Sequence, residues 1–194
     1  MSKRVKAPTV LVSLEEMAPV IEAGLELGQA VVLTITGNSM APFLRSQRDQ
    51  VVLVAVDPAA LQPGDVPLYR RENGQFVLHR IVERDDGVSR QRLGEKELLP
   101  SAHVGSALQF TMLGDAQVDL EPGIKAGQVI ARASAFLRKG KRLECDSRRY
   151  RRRVRRWYWW LPLRMTLLWF YYLPERLCRL PGRAYRKIKR CIAG

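Results

Sequence analysis

The sequence contains few of the residues that hold metals or form disulfides. It has three cysteines and two histidines among 194 residues. Zinc sites draw on closely spaced Cys and His side chains, and no C-x-x-C pair is present, so we expect no metal site. The odd cysteine count predicts no disulfide framework and suits a reducing compartment. The residues concerned are Cys145, Cys178, Cys191, His79 and His103.

The sequence also lacks a long uninterrupted apolar run. Its N-terminus, MSKRVKAPTVLVSLEEM, is basic but has no apolar h-region, so it predicts neither a signal peptide nor an N-terminal span. Residues 157–173, WYWWLPLRMTLLWFYYL, approach the ~20 residues that cross a bilayer but are interrupted by Pro162 and Arg164. We expect this segment to lie at an anionic membrane surface, with a membrane span and a helix packed on the domain as alternatives. The expected membrane contacts are Trp157, Trp159, Trp160, Trp169 and Phe170.

Charge is distributed unevenly along the chain. Residues 1–136 contain 14 Lys/Arg and 16 Asp/Glu, whereas residues 137–194 contain 19 Lys/Arg and 3 Asp/Glu. The basic character therefore belongs to the C-terminal part and says nothing about the partner of the preceding domain. We divide the chain into an N-terminal extension (1–28), a globular domain (29–137) and a basic aromatic tail (138–194). A tail with interleaved basic and aromatic residues could also bind single-stranded nucleic acid, but its Leu, Met and Phe content favours a membrane surface.

Hydrophobic periodicity predicts a mostly β domain with one leading helix and an amphipathic helical tail. Helical spacing of apolar residues covers 13–27, where Ser13 and Glu16 fit a capping box and Gly28 ends the helix. Runs rich in β-branched and aromatic residues, separated by Gly, Pro, Asn and Asp, predict strands after it. These runs are 30–36, 50–56, 75–82, 108–113 and 128–136.

Asn73-Gly74 predicts a two-residue type I′ hairpin. In that register Glu72 pairs with Gln75 and Leu68 pairs with His79. Apolar residues then occur on both faces of the second strand, so we expect this hairpin to be central and His79 to have apolar neighbours.

Three residues form a candidate catalytic set. Ser39 lies in a Gly37-Asn38 turn after a predicted strand, and a glycine turn lets backbone N–H groups approach a substrate closely. A serine hydroxyl needs a base, for which His79 is a candidate, and Asp115 could orient that base. Each residue also has an ordinary structural interpretation, as a turn serine, a core histidine and a turn aspartate. Sequence separation does not show whether the three residues meet.

Four short motifs follow one another along residues 37–117. GNSMAPFL (37–44) resembles the Ser-Met-x-Pro box of signal peptidases and LexA-like serine peptidases, and PGDVPLYRR (63–71) resembles their Gly-Asp-hydrophobic box. VLHRIV (77–82) resembles the His-Arg-Ile box of the types that use His as the base, and TMLGDAQ (111–117) resembles the Gly-Asp-Asn-Asn box. The order of the four boxes matches the family. The sequence departs from the family at two places. The pair Ala116-Gln117 stands in place of Asn-Asn. Pro67 stands in place of an aliphatic residue, and because proline has no backbone N–H it predicts an edge strand or a bulge.

The resemblance implies a LexA/signal-peptidase-like fold and a serine endopeptidase without cofactor. Ser39 would be the nucleophile and His79 the general base, with Asp115, or else Asp119, as the acidic third member. The substrate would be a leader or signal peptide bound near the serine, cleaved through an acyl-enzyme. The expected groove and oxyanion residues are Gly37, Asn38 and Met40.

Two other functions remain open at this stage. The chain could be a catalytically inactive peptide-binding module of the same fold, which the loss of the Asn-Asn pair favours. It could also be an adaptor whose tail binds a membrane or nucleic acid. We expect association with the cytoplasmic face of a membrane, with a C-terminal single-pass anchor as the alternative, and no specific nucleic-acid partner.

Overall fold

The computed structural model describes residues 14–95, 98–101, 104–160, 163 and 166. Within these residues the fold is mostly β, as the sequence predicts. The helices are α1 (Leu14–Glu26) and α2 (Arg148–Trp159). The strands are β1 (Val31–Thr34), β2 (Gln50–Val54), β3 (Pro67–Arg70), β4 (Phe76–Leu78), β5 (Arg80–Asp85), β6 (Ser89–Arg92), β7 (Leu99–Pro100), β8 (Gln109–Leu113), β9 (Glu121–Lys125), β10 (Val129–Arg138) and β11 (Lys141–Glu144).

The described strands form two antiparallel sheets. The first has six strands in the order β1-β2-β10-β3-β4, with β11 paired to β10. The second has five strands in the order β7-β6-β5-β8-β9. Strands β1 and β4 therefore lie at the two ends of this strand order.

The leading helix follows the predicted span closely. Ile21 and Leu25 lie on its buried side, and Leu14 and Met17 pack against the same core cluster. Helix α1 ends before Gly28, which has the positive φ of 71° that favours glycine. The predicted capping serine, Ser13, lies outside the described residues.

Four predicted strands are confirmed as β1, β2, β8 and β10, with ends shifted by a few residues. The fifth, 75–82, is two strands: β4 ends at Leu78 and β5 begins at Arg80. Because β4 belongs to the first sheet and β5 to the second, the chain changes sheets at His79. An apolar run cannot show this change, since both halves bury side chains.

The predicted hairpin register is wrong by one residue. Arg71 pairs with Gln75 through a 2.9 Å hydrogen bond from its backbone N–H, and Leu68 lies opposite Leu78 rather than His79. The loop has three residues, 72–74, because Gly74 takes a positive φ of 86° after a turn closed by its own N–H to the Arg71 carbonyl. The Asn73 side chain supports this loop by accepting from the Gln75 N–H.

Pro67 lies in an interior strand, so the prediction of an edge position is wrong. Strand β3 pairs with β10 on one side and β4 on the other. The Val66 carbonyl accepts from the Ala133 N–H of β10, which turns the Pro67 nitrogen toward the other side. Strand β4 has already ended at Leu78 there, so the missing N–H interrupts no ladder. The register shift in this strand pair falls on β10, between Val129 and Ala131.

The domain extends further than residue 137. Strand β10 continues through that position to Arg138, and β11 then pairs back onto it. In α2, Tyr150 and Val154 are buried in the main core cluster. The predicted boundary between domain and tail is therefore corrected to a point at or beyond the end of α2.

Most of the expected membrane segment, including Trp169 and Phe170, lies outside the described residues. Among the residues that the structure describes, no helix combines the length and apolar character that crossing a bilayer requires.

Candidate active site

The Ser39 loop connects β1 to β2 and is anchored by buried apolar side chains. The Met40 and Leu44 side chains are buried, and the Leu44 N–H donates to the Met40 carbonyl over 2.8 Å. Ser39 itself is half-buried. Its hydroxyl forms no hydrogen bond with any described residue. The loop thus holds a half-buried serine whose hydroxyl is not bonded to any residue that the structure describes.

Residues 114–117 support the Ser39 loop from behind. The Ala116 N–H donates a 2.7 Å hydrogen bond to the Ser39 carbonyl. A Cβ atom built on Gly114 would lie 2.9 Å from that same carbonyl oxygen and 2.5 Å from the Gln117 side chain. Glycine is therefore required at position 114, because no larger residue lets the two segments approach so closely.

His79 lies between β4 and β5 with only 3% of its surface exposed. Its Nδ1 atom is 3.3 Å from the Tyr69 hydroxyl and 3.7 Å from Oε2 of Glu121. The other ring nitrogen, Nε2, forms no hydrogen bond with a described residue. Both polar neighbours of the imidazole therefore lie on its Nδ1 side.

The hydrogen bonds around Glu121 determine the tautomer of His79. The Tyr69 hydroxyl donates to Oε2 of Glu121 over 2.7 Å, and Arg71 donates to both carboxylate oxygens over 2.6 Å. The Tyr69 hydroxyl thus donates its proton to Glu121, so its oxygen accepts a hydrogen bond from Nδ1 of His79. A proton on Nδ1 satisfies this geometry and leaves Nε2 unprotonated. The imidazole thus has its protonated nitrogen on the side of Tyr69 and Glu121 and its unprotonated nitrogen away from them.

Burial controls the ionisation of these groups. It lowers the pKa of His79 to about 4, and the negative charge of Glu121 only partly opposes this effect. Hydrogen bonds from Arg71 lower the pKa of Glu121, so its carboxylate stays ionised. Burial also raises the pKa of Tyr69, which remains a neutral phenol. At neutral pH the cluster consists of a neutral imidazole beside an anionic carboxylate.

The carboxylate next to His79 is therefore Glu121, and neither aspartate suggested by the sequence takes that place. Asp115 is buried and accepts two hydrogen bonds from Arg80, of 2.9 and 2.7 Å. Asp119 is exposed and makes no hydrogen bond or ion pair with a described residue. Glu121 begins β9 and lies opposite Met112 of β8, a pairing that depends on the sheet register.

Arg80 connects the Ser39 loop to helix α2. Besides Asp115, its guanidinium donates to the Gly64 carbonyl over 3.0 Å and to the Tyr150 hydroxyl over 2.9 Å. It also lies 5.4 Å from the ring centre of Phe43, which follows Ser39 in the loop. Removing the Asp115 carboxylate would leave the buried positive charge of Arg80 without a neighbouring negative charge. The role of Asp115 is thus to neutralise Arg80.

Ser39 and His79 line one cavity of about 340 Å³. Of the three expected groove residues, Gly37 and Met40 also line this cavity, whereas Asn38 does not. The Asn38 carbonyl instead accepts from the Ala41 N–H within the loop. Apolar side chains from the first sheet line much of the wall, among them Leu33, Leu53, Leu68, Val77 and Leu78. The polar side chains of Arg71, Gln75 and Gln117 also line it.

The cavity lies between the two edges of the first sheet. Thr34 belongs to β1, and Phe76 belongs to β4. Both strands lack a second neighbour within the described part of the sheet. Unpaired strand edges beside a cavity that has apolar and polar walls suit an extended peptide, whose backbone can pair with them. Within the described ranges no group of three or more His, Cys, Asp and Glu side chains is arranged to hold a metal ion.

No protein-family model matches this sequence, and no curated protein matches it either.

Proposed function

We propose that this protein is a serine endopeptidase similar to signal peptidases and LexA-like peptidases. Ser39 is the nucleophile, His79 the general base and Glu121 the carboxylate that orients the base. The observation that carries the proposal is the cavity that Ser39 and His79 both line. Neither the Ser39 hydroxyl nor Nε2 of His79 forms a hydrogen bond with a described residue. The four sequence motifs support the same assignment.

The proposed reaction is acyl transfer through an ester on Ser39. The serine oxygen attacks the peptide carbonyl carbon while Nε2 of His79 takes the hydroxyl proton. The imidazolium then gives that proton to the leaving amine nitrogen, the C–N bond breaks, and an acyl-serine remains. Water hydrolyses this ester with His79 again as base. Glu121, 3.7 Å from Nδ1, stabilises the imidazolium that forms in each half of the reaction.

The proposed substrate is an extended peptide paired with β1 or β4. Its backbone would satisfy the free strand edges, and its apolar side chains would enter the cavity lined by Leu33, Leu53 and Leu68. The resemblance adds that the substrate is a leader or signal peptide cleaved after small residues.

Covalent labelling tests the proposal. Purified protein is treated with serine-acylating β-lactam and lipopeptide probes, and the adduct is located by mass spectrometry. We expect labelling at Ser39 that is lost in Ser39→Ala and strongly reduced in His79→Ala. Ser46→Ala, in the same loop, is the matched control and should label normally. Absence of labelling from all the probes in a folded protein would contradict the peptidase assignment.

One observation favours a second candidate, a peptide-binding module without catalysis. An efficient general base has a pKa near the working pH, whereas burial lowers the pKa of His79 to about 4. Such a module would bind an extended peptide in the same cavity and leave it intact. Peptide binding that is equal in the unmodified protein and in Ser39→Ala, without cleavage or labelling, would identify this function.

A further inference from the structure

Helix α2 has an unusual distribution of charge. Its twelve residues, Arg148–Trp159, include seven arginines and no acidic residue. Ser147 caps its first turn by accepting from the Tyr150 N–H, but that turn contains no acidic residue to complement the positive end of the helix dipole. Arginines four residues apart, such as Arg148 and Arg152, repel each other. An external anion would relieve both effects.

The arginines form the outer face of α2. Tyr150 and Val154 point into the core, and the seven arginines are all exposed. Arg151 forms an ion pair with Asp146 at 3.2 Å. The other six have no carboxylate partner in the part of the chain that the structure describes. This outer face, which we call the arginine face, consists of Arg148, Arg149, Arg151, Arg152, Arg153, Arg155 and Arg156.

Two large aromatic side chains extend the arginine face at its C-terminal end. Trp159 is 81% exposed and Trp160 is 62% exposed. Trp159 lies four residues after Arg155, and Trp160 lies four residues after Arg156, so each tryptophan follows an arginine on the same side of the helix. Cationic residues beside exposed tryptophans are typical of helices that lie at a lipid headgroup layer.

We propose that the arginine face, together with Trp159 and Trp160, binds the surface of a bilayer containing anionic phospholipids. Guanidinium groups bind phosphate oxygens in pairs, and the indole rings enter the boundary between headgroups and acyl chains. The sequence that follows, LPLRMTLLWFYYL at 161–173, is apolar, which favours lipid over nucleic acid as the partner. This inference does not depend on the peptidase assignment.

The proposed membrane surface is fixed relative to the cavity. The Tyr150 hydroxyl accepts from Arg80, and Arg80 pairs with Asp115 behind the Ser39 loop. Since these groups are buried, binding through α2 would hold the domain and its cavity in one orientation at the membrane. The proposed binding segment thus begins at Arg148, nine residues before the apolar run 157–173.

Vesicle sedimentation of the full-length protein tests the proposal. The vesicles are pure phosphatidylcholine, or phosphatidylcholine with 30% phosphatidylglycerol, at about 0.15 M salt. The first variant combines Arg152→Gln, Arg155→Gln and Arg156→Gln. The matched control combines Lys125→Gln, Lys139→Gln and Lys141→Gln, which removes the same charge elsewhere on the surface. Near-ultraviolet circular dichroism shows whether each variant keeps its packing.

We expect binding to anionic vesicles only, weakened about a hundredfold in the arginine variant and by less than about tenfold in the control. A Trp159→Ala and Trp160→Ala variant should also lose affinity. Equal losses in the arginine and lysine variants would overturn the proposal, because they would show only a net-charge effect. Full binding by the arginine variant would also overturn it, by assigning the contact to residues beyond 160. So would tight binding of a single-stranded oligonucleotide through the same arginines without vesicle binding.

Discussion

The Ala116 N–H donates a 2.7 Å hydrogen bond to the carbonyl oxygen of Ser39. This bond joins the segment after β8 to the loop after β1, and it places a backbone amide directly behind the proposed nucleophile. The position of Ser39 therefore depends on a segment that contributes no catalytic side chain of its own.

Gly114→Ala is expected to displace the Ser39 loop. Its Cβ would lie 2.9 Å from the Ser39 carbonyl oxygen, a backbone atom that can move only with the loop. We expect Ser39 acylation to slow by at least about tenfold and the free energy of unfolding to fall by about 1–3 kcal/mol. Gly127→Ala is the control, because a Cβ there meets no atom within 4 Å. Equal acylation rates in the two variants would show that the close approach is unimportant.

Glu121→Gln is expected to slow acylation of Ser39 by roughly 10²-fold, within the range for a positioned acid–base group. The variant removes the charge that stabilises the His79 imidazolium and the anion that Arg71 binds. The second-order rate of probe labelling is the measurement. Asp119→Asn should label at the normal rate, since Asp119 is exposed and makes no hydrogen bond or ion pair with a described residue. A larger loss in Asp119→Asn than in Glu121→Gln would reverse our choice of carboxylate.

Asp115→Asn should act through stability. It leaves the Arg80 guanidinium buried without its anion, which typically costs about 3–5 kcal/mol. Urea unfolding followed by fluorescence measures this loss. Under conditions where Asp115→Asn remains folded, its acylation rate should stay closer to normal than that of Glu121→Gln. An unchanged midpoint of unfolding would contradict the structural role of the Arg80–Asp115 pair.

The buried imidazole predicts a pH-dependent stability. His79 has a pKa of about 4 in the folded protein, against 6.5 when exposed. Between these values the unfolded chain binds a proton that the folded protein does not. Stability is therefore fully present above pH 6.5 and falls as the pH is lowered, by at most about 1.4 kcal/mol per pH unit.

The measurement is urea unfolding at pH 7, 6 and 5, a range that lies above the titration of most carboxylates. The unmodified protein should lose about 2 kcal/mol across this range. His79→Gln should show a flatter dependence, while His103 is present in both proteins and cancels. Parallel curves for the two proteins would mean that His79 titrates normally when folded. Direct titration of the imidazole by NMR checks the same pKa if the variant is too unstable.

Truncation should locate the end of the folded domain. A chain ending at residue 160 keeps Tyr150 and Val154 in the core and should fold cooperatively. A chain ending at residue 137 loses β11, both buried α2 side chains and the Tyr150 contact to Arg80, and should lose its cooperative unfolding transition. Thermal unfolding of the two chains is the comparison. A stable chain ending at residue 137 would restore the boundary that the sequence predicts.

The sequence predicts the strands that are rich in buried apolar residues, and it misses polar strands such as β6 and β9. Strands β2 and β8 are visible because Val, Leu, Phe and Met mark their buried faces. Strands β6 (SRQR) and β9 (EPGIK) carry no such pattern, and their positions depend on backbone pairing with β5 and β8. Backbone pairing leaves little trace in residue type, so these strands need the three-dimensional register.

The same limit applies to the candidate site. Ser39 and His79 are predicted because each lies in a local motif, and the structure brings both to one cavity. Glu121 is not selected from the sequence because its pairing with Met112 follows a register shift after Phe110, which no local signal reports. The pairing of Asp115 with Arg80 is missed for the same reason, since the two residues lie on different strands or loops joined only by the fold.

The change of sheets at His79 has a mechanical consequence. Leu78 belongs to the first sheet and Arg80 to the second, so the backbone that carries the imidazole connects the two sheets. A small rotation of one sheet relative to the other would therefore change the orientation of the imidazole ring. Tyr69 comes from one sheet and Glu121 from the other, so the hydrogen bond between them resists such a rotation. The orientation of the proposed base thus depends on the contacts between the two sheets.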